Sequence, residues 1–346
     1  MSWPLPQYSR SRVDLAGERL SAKKAPLSRE TFEKEYPIAE NWRVGHSYPL
    51  NAILERVRHE AARLQPDAPV VRRLKRFISI VRKLIWEPTR FTQMQDVGGC
   101  RVVLNNLTLA EQLTKELLKT LPHDLVDADD YIKTPAQSGY RGVHLIYKYR
   151  PESKDAEVYR GMKIEIQIRT DLQHAWATAV EVAETCTGYA LKDSRGRVDE
   201  NYVRFFQLVS SALALREGTP LVPGVPADVE ELCVFEEMLG VRGKLAAYGA
   251  ATDEGLSFPP GAEYYLLDLD TSGSRSVTTI KGFTRDQLDE ANAEYAEADR
   301  QIQESDERQV VLVSASSVSQ LRSAYPNYFL DSRAFISVVD QILGEA

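Results

Sequence analysis

The segment KIEIQIRT, residues 163–170, constrains the fold more than any other stretch of this chain. Strict alternation puts Ile164, Ile166 and Ile168 on one face of a strand and Glu165, Gln167 and Arg169 on the other. A carboxylate, an amide and a guanidinium in a row are costly to bury without partners. The strand therefore either carries a solvated polar face at an edge or lines a polar cleft.

The neighbouring patterns predict a mixed α/β domain. Residues 48–64 read as a helix, and so do residues 70–86, where Leu74, Phe77, Ile78, Val81, Leu84 and Ile85 fall at helical intervals. After Gly98-Gly99 a short strand runs over 100–104, followed by a helix over 108–121 that stops before Pro122. Strands are expected near 127–134, 143–149 and 163–169, with helices from Asp171 onward and over 201–217. In the last third, 264–270 and 277–283 read as paired strands, 285–304 as a charged helix and 309–315 as a strand, with short helices at the end.

With 346 residues, two domains are expected. The stretch 218–230, with three prolines and two glycines in its first nine residues, reads as a linker between 1–217 and a smaller α/β domain over 231–346. Charge divides at the same place. Residues 226–346 hold 9 Lys+Arg against 22 Asp+Glu, a net of −13, while the preceding part is +6. Two oppositely charged halves suit different partners, or each other. The −13 half is a poor nucleic-acid binder. No apolar run reaches a membrane helix, the first twenty residues lack a signal-peptide core, and Cys100, Cys186 and Cys233 are far apart. The expectation is a cytoplasmic protein with reduced thiols and no membrane partner.

Four further elements carry chemistry. Asp96 precedes a diglycine and Arg101, in a setting that suits either a metal ligand or a plain turn. Lys75, Ser79 and Lys83 are spaced i, i+4, i+8 with Arg73 just ahead, matching either a polyphosphate or a solvated helix face. In SGYRGVH, residues 138–144, Tyr140 sits between flexible glycines and His144 opens a strand; the tyrosine suits base stacking or a hairpin core. The fourth element is the polar row of 163–170.

Taken in order, Arg-x-Lys-x-x-x-Ser-x-x-x-Lys (73–83), Asp-x-x-Gly-x-Arg (96–101), DYIKTPAQSGYRGVH (130–144) and EIQIRTDLQHAWA (165–177) resemble the synthetase domain of the RelA/SpoT alarmone synthetases, closest to its small monofunctional members. The resemblance covers about residues 40–190. It implies a nucleotidyltransferase-like fold, a mixed sheet flanked by helices with a nucleotide cleft on its polar face. It also implies transfer of pyrophosphate from ATP to the ribose 3′-hydroxyl of GDP or GTP. On this resemblance Arg73 stacks on adenine, and Lys75, Ser79, Lys83 and Arg101 serve ATP. Asp96 and Glu165 hold Mg²⁺, and Glu165 is also the catalytic base. Tyr140 stacks on the acceptor's guanine, His144 meets the acceptor's phosphates, and Gln167 and Arg169 flank the acceptor side.

Two stretches depart from the family pattern. Pro135-Ala136-Gln137-Ser138 lacks the usual Lys and Asn, and Gln173-His174-Ala175-Trp176 replaces the usual Met-Asp-Phe-Trp. The dipeptide His123-Asp124 reads as a turn after a helix rather than as a hydrolase motif. Besides the alarmone reading, the resemblance allows a toxin-type member that modifies the 3′ end of tRNA and is neutralised by its own C-terminal domain. A nucleotide sensor without turnover is a third reading, against which the complete motif set argues. A homo-oligomer is also expected, since small members often form one, and so is docking of the acidic half onto the basic side that holds Arg73, Lys75 and Lys83.

Overall fold

A computed structural model describes residues 3–22, 28–191, 197–250, 252–257, 259–273, 275–301, 308–315 and 317–344. Three helices come first, α1 (Arg10–Leu20), α2 (Arg29–Gly45) and α3 (Ser47–Leu64). They are followed by β1 (Val70–Leu74), α4 (Phe77–Trp86), β2 (Gly98–Leu104), α5 (Leu107–Thr120), β3 (Asp124–Asp130), β4 (Val143–Lys148), β5 (Lys163–Thr170), α6 (Asp171–Thr187) and α7 (Glu200–Glu217). The remainder holds α8 (Val229–Leu239), α9 (Val241–Ala250), β6 (Thr252–Ser257), β7 (Tyr264–Asp270), β8 (Ser276–Phe283), α10 (Leu288–Gln301), β9 (Arg308–Ser314), α11 (Val318–Ala324) and α12 (Arg333–Gly344). No helix among the described residues is long and apolar enough to cross a membrane.

All the described strands join one mixed sheet in the order β3-β4-β5-β2-β1-β9-β7-β8-β6. Only β5–β2 and β6–β8 run parallel. The isoleucines of β5 turn to one face, where Ile164, Ile166 and Ile168 pack fully buried beneath Ile53 and Leu54 of α3 and Leu113 and Leu117 of α5. Burying such side chains stabilises by about 1.5–3 kcal/mol each, so this face fixes the strand's register. Gly98 is required there: a Cβ would meet Ile164 Cδ1 at 3.0 Å and His46 Cβ at 3.2 Å.

The helix expected over 70–86 is two elements. Residues 70–74 form β1, and only Phe77–Trp86 are helical. Val70 and Val71 are β-branched, and β1 has a neighbour on each side: Arg73 pairs with Gly99 of β2 and with Val313 of β9. Long-range pairing overrides the local helical spacing. The strand expected at 127–134 lies three to four residues earlier, because Asp130 caps a turn through the amides of Ile132 and Lys133. The charged helix is shorter than expected, starting at Leu288 after a single turn at Arg285–Gln287; residues 302–304 lie outside the described residues.

The division into two domains also differs from the structure. Strand β9 bridges β1 and β7, so the sheet runs unbroken through both halves. One core joins Val71, Trp176 and Val180 to Leu267, Val311 and Val313. The stretch 218–230 is pinned rather than free. Arg141 donates to the Pro220 carbonyl at 2.8 Å, Ser211 donates to the Val225 carbonyl at 2.9 Å, and Val222 and Val225 are buried. Its prolines shape an irregular but packed crossing. Gln137, one of the departures from the family pattern, helps hold it by donating to the Pro223 carbonyl at 3.3 Å.

A second junction lies behind the sheet. Buried Arg43 makes a two-pronged ion pair with Glu40, at 2.7 Å on each side, and stacks 4.2 Å from the Tyr295 ring of α10. Tyr295 in turn donates to Asp299 at 3.0 Å. The acidic half is thus attached by shared strands and buried contacts, not by surface charge alone.

Cutting the chain after Pro220 should therefore damage what remains. The cut uncovers Val71, Trp176 and Val180, each worth about 1.5–3 kcal/mol, and for a chain of this size each kcal/mol moves the unfolding midpoint by about 2–4 °C. The expected drop exceeds about 10 °C by calorimetry, with new binding of a hydrophobic dye. An unchanged midpoint would contradict a shared core.

Candidate active site

The polar face of β5 lines a cleft, not an exposed edge. Register sets its floor in two rows. The first runs Asp127, Ile146, Glu165, Gly99, Arg73 across β3, β4, β5, β2 and β1. The second runs Asp129, His144, Gln167, Arg101. Cross-strand neighbours point to the same side of a sheet, so these side chains converge. The cavity they border has a volume of about 350 Å³, within the range of small-molecule sites. Gly99 is the gap in the first row, leaving open floor between Glu165 and Arg73.

One end of the cleft is cationic. Lys75 sits in the turn between β1 and α4 and not on the helix, yet it still converges with Lys83. Both ammonium groups reach Asp96 Oδ2, at 2.8 Å and 3.3 Å. Burial would raise the Asp96 carboxyl, but the two lysines outweigh it and hold it at about 2. Its other oxygen, Oδ1, is buried with no hydrogen-bond partner among the described residues. A buried carboxylate oxygen left in this way suits a cation, and Glu165 borders the same cavity. The donor set thus fits a hard divalent ion such as Mg²⁺. Ser79 lies on α4 between the two lysines in sequence but is not among the residues bordering the cavity.

At the other end, Glu165, His144 and Tyr140 form a chain. His144 Nδ1 lies 3.1 Å from Glu165 Oε1, and its Nε2 lies 2.5 Å from the Tyr140 hydroxyl. Gln167 donates to Glu165 Oε2 at 2.8 Å. Burial pushes His144 down, but Tyr140 and Glu165 hold it up to about 9. Burial likewise raises Glu165, and His144 more than reverses that, leaving the carboxyl below its ordinary value. Arg169 is turned onto the Tyr140 hydroxyl at 3.0 Å and 3.2 Å.

The glycines around Tyr140 are needed. Gly139 has φ +94°, and a Cβ there would lie 3.0 Å from both Ser210 and Trp176. Thr170 ends β5 and caps α6 with a reciprocal pair of bonds to Gln173, so α6 leaves directly from the floor strand.

Ten of the eleven residues singled out in the sequence gather at this cleft or immediately behind it, with Ser79 beside it. The sequence reading missed Gln95, Asp129, Tyr131 and Tyr325, which also border the cavity. Tyr131 lies within the quoted motif and Asp129 one residue before it, and the β3–β4 register, which sets Asp129 opposite His144, turns Asp129 inward. Tyr325 comes from the C-terminal half. Arg101 donates to the Ala324 carbonyl at 3.1 Å and lies 5.7 Å from the Tyr325 ring. His174, of the unexplained Gln-His-Ala-Trp run, donates to the Ser323 carbonyl at 3.0 Å. Burial holds its imidazole neutral, pushing it down to about 3. That departure from the family pattern thus anchors the segment carrying Tyr325. His123 lies in the turn after α5, as expected.

Residues 72–185 match the family described as a region found in RelA / SpoT proteins, a stretch that contains all eleven residues. GTP pyrophosphokinase YwaC of Bacillus subtilis (strain 168) is 31% identical over 112 residues, which cover 31% of this chain and 52% of that protein. GTP pyrophosphokinase YjbM of the same strain is 33% identical over 85 residues, 25% of this chain and 39% of that one. The chain thus spans about half or less of the curated relatives it matches. The crystal structure of small alarmone synthetase 1 from Bacillus subtilis aligns over 62% of this chain and 99% of its own, at 23% identity and a TM-score of 0.42.

Replacing Asp96 with Asn keeps shape but removes the charge a cation needs. The expected result is loss of Mn²⁺ binding, followed by electron paramagnetic resonance, with an affinity at least about tenfold weaker. Unchanged affinity would remove Asp96 from any metal site.

Proposed function

We propose that the cleft transfers the β,γ-pyrophosphate of ATP to the 3′-hydroxyl of a ribose, with GDP or GTP as the acceptor. The observation that carries this reading is the division of one cavity into a cationic end, Arg73, Lys75, Lys83 and Arg101, and an end where a carboxylate is held by a histidine, Glu165 with His144. The first suits a polyphosphate and the second a hydroxyl about to lose its proton.

The chemistry follows from these groups. Incoming phosphates draw Lys75 and Lys83 off Asp96, and Arg73 offers its planar guanidinium to the adenine. A divalent cation, Mg²⁺ in the cell, would be held by Asp96 and Glu165 and would neutralise phosphate charge. The acceptor's 3′-oxygen attacks the β-phosphorus in line. Its proton passes to Glu165, the bond from that phosphorus to the α,β-bridging oxygen breaks, and AMP leaves. Charge developing on the AMP oxygen is met by the lysines. The low basicity that His144 imposes on Glu165 is the cost of holding it in one orientation.

One feature favours a second acceptor. Asp127 and Asp129 stand on the acceptor side of the floor, and Asp129 borders the cavity. Arg169 is engaged with Tyr140 and Gln167. A 5′-di- or triphosphate would meet acid there, beside a His144 whose two nitrogens already face Glu165 and Tyr140, whereas the 3′-terminal ribose of an RNA carries no such group. Transfer to the 3′ end of tRNA is therefore the second reading.

The Tyr325 ring walls the ATP side, and Arg101 is bonded to its segment. This supports a C-terminal half that restrains ATP entry.

The test supplies ATP labelled at the γ-phosphate together with GDP, GTP or tRNA. Label should appear in an acceptor, with AMP released in equal amount. Glu165→Gln should lower the rate about 10²–10⁴-fold. Labelled phosphate alone, with ADP, would refute pyrophosphate transfer. Tyr325→Ala should raise kcat/KM for ATP about tenfold if the ring obstructs the site, and an unchanged value would make it a passive wall.

A further inference from the structure

Strand β1 sends two consecutive arginines to opposite faces of the sheet. Arg73 faces the cleft, so Arg72 turns behind the sheet, where it is only 6% exposed. Burial lowers its pKa, yet a guanidinium keeps its proton at any ordinary pH. A buried charge is costly unless an opposite charge meets it. Arg43, also buried behind the sheet, has Glu40. Arg72 meets no carboxylate among the described residues. Its bonds go to neutral oxygens, the Ser47 carbonyl at 3.2 Å and the Tyr264 hydroxyl at 2.8 Å.

A small cavity of about 30 Å³ lies beside it, with Arg72, Tyr264 and Asn292 in its lining and no Asp or Glu among the described residues that border it. Asn292 Nδ2 is buried with no hydrogen-bond partner among the described residues. The Tyr264 hydroxyl accepts from Arg72, which leaves its own proton to give. Guanidinium, hydroxyl and amide thus belong to the wall of one space, and Leu50, Leu288 and Leu312 make much of the rest apolar. Donors around an uncompensated positive charge suit an anion. The volume is about the share of one water molecule in the liquid, which admits a monatomic ion and excludes a nucleotide.

We propose that this cavity binds a chloride ion, held by Arg72, Tyr264 and Asn292, and that the ion ties β7 and α10 of the C-terminal half to β1. Each donor comes from a different element, so the ion is bound only when the seam between the halves is closed. A ligand held by the folded chain alone raises its stability as the ligand concentration rises. The site is independent of the reaction in the cleft, which lies on the other face of the sheet.

Two measurements on the full chain test this. In the first, crystals are soaked in sodium bromide and diffraction is recorded at the bromine absorption edge. An anomalous peak is expected within hydrogen-bond reach of Arg72, Tyr264 and Asn292. Density there without an anomalous signal is a water and overturns the inference, as does the lack of any density.

The second follows the unfolding midpoint by calorimetry while chloride replaces gluconate at constant ionic strength. Raising chloride from about 1 mM to about 100 mM should lift the midpoint by at least about 3 °C. The cationic cleft also attracts chloride, so substitutions behind the sheet locate the effect. Asn292→Leu and Tyr264→Phe each remove one donor and keep the shape of the side chain, and each should remove more than half of the rise. The inference is overturned if the rise is absent, or if either variant keeps more than half of it.

Discussion

The pairing of β1 on both of its edges is the constraint on which the other features depend. On one side its partner is β2, which carries Gly99 and Arg101 into the cleft. On the other it is β9, the strand through which the C-terminal half enters the sheet. Arg73 stands at this crossing, so the cation that closes the first floor row is set by pairing from both halves. With β2 along one edge and β9 at Arg72 and Arg73 on the other, β1 is held in register, and shifting it by one residue would turn Arg73 away from the cleft.

Electrostatics inside the cleft follow from that register. Two lysines share one aspartate oxygen, and one glutamate is held by a histidine and a glutamine. Each buried carboxylate is held ionised against the cost of burial. Both ends of the cavity are therefore charged and pre-arranged before any ligand arrives, which reduces the reorganisation needed during a reaction. The tie from Arg101 and His174 to residues 323 and 324 brings a third element, Tyr325, against the cationic end.

Much of the site was legible because alternation in a strand is a local signal. Glu165, Gln167 and Arg169 share a face simply because they are two residues apart, and three buried isoleucines say which face is hidden. Helices α3 and α5 were legible for the same reason at a different period. Strand β1 was not. Val-Val-Arg-Arg-Leu runs into a helical pattern, and only partners nearly thirty and more than two hundred residues away decide that it is extended. The prolines of 218–230 marked irregular backbone correctly, but composition does not say whether irregular backbone is loose or packed. Here Arg141 and Ser211 pack it. Helices were expected at the N-terminus without bounds for α1 and α2, and helices α8 and α9 and strand β6 drew no specific expectation. Tyr131 sat within a quoted motif and Asp129 just ahead of it, yet the direction of Asp129 depends on the β3–β4 register, including a bulge between Leu125 and Asp127. Tyr325 carried no local signal at all, since nothing near it in sequence suggests a cleft more than 150 residues away.

The most direct test of a cleft built on one shared sheet is native-state amide hydrogen exchange, read strand by strand. The amides compared are those of β1 and β2 with those of β9 and β7. If the sheet is a single cooperative unit, the slowest amides on both sides of the β1–β9 seam exchange through the same global opening, with equal free energies and equal denaturant dependence. Exchange of β7 and β9 through a smaller opening, while β2 and β5 stay protected, would show a separable C-terminal module and contradict the account.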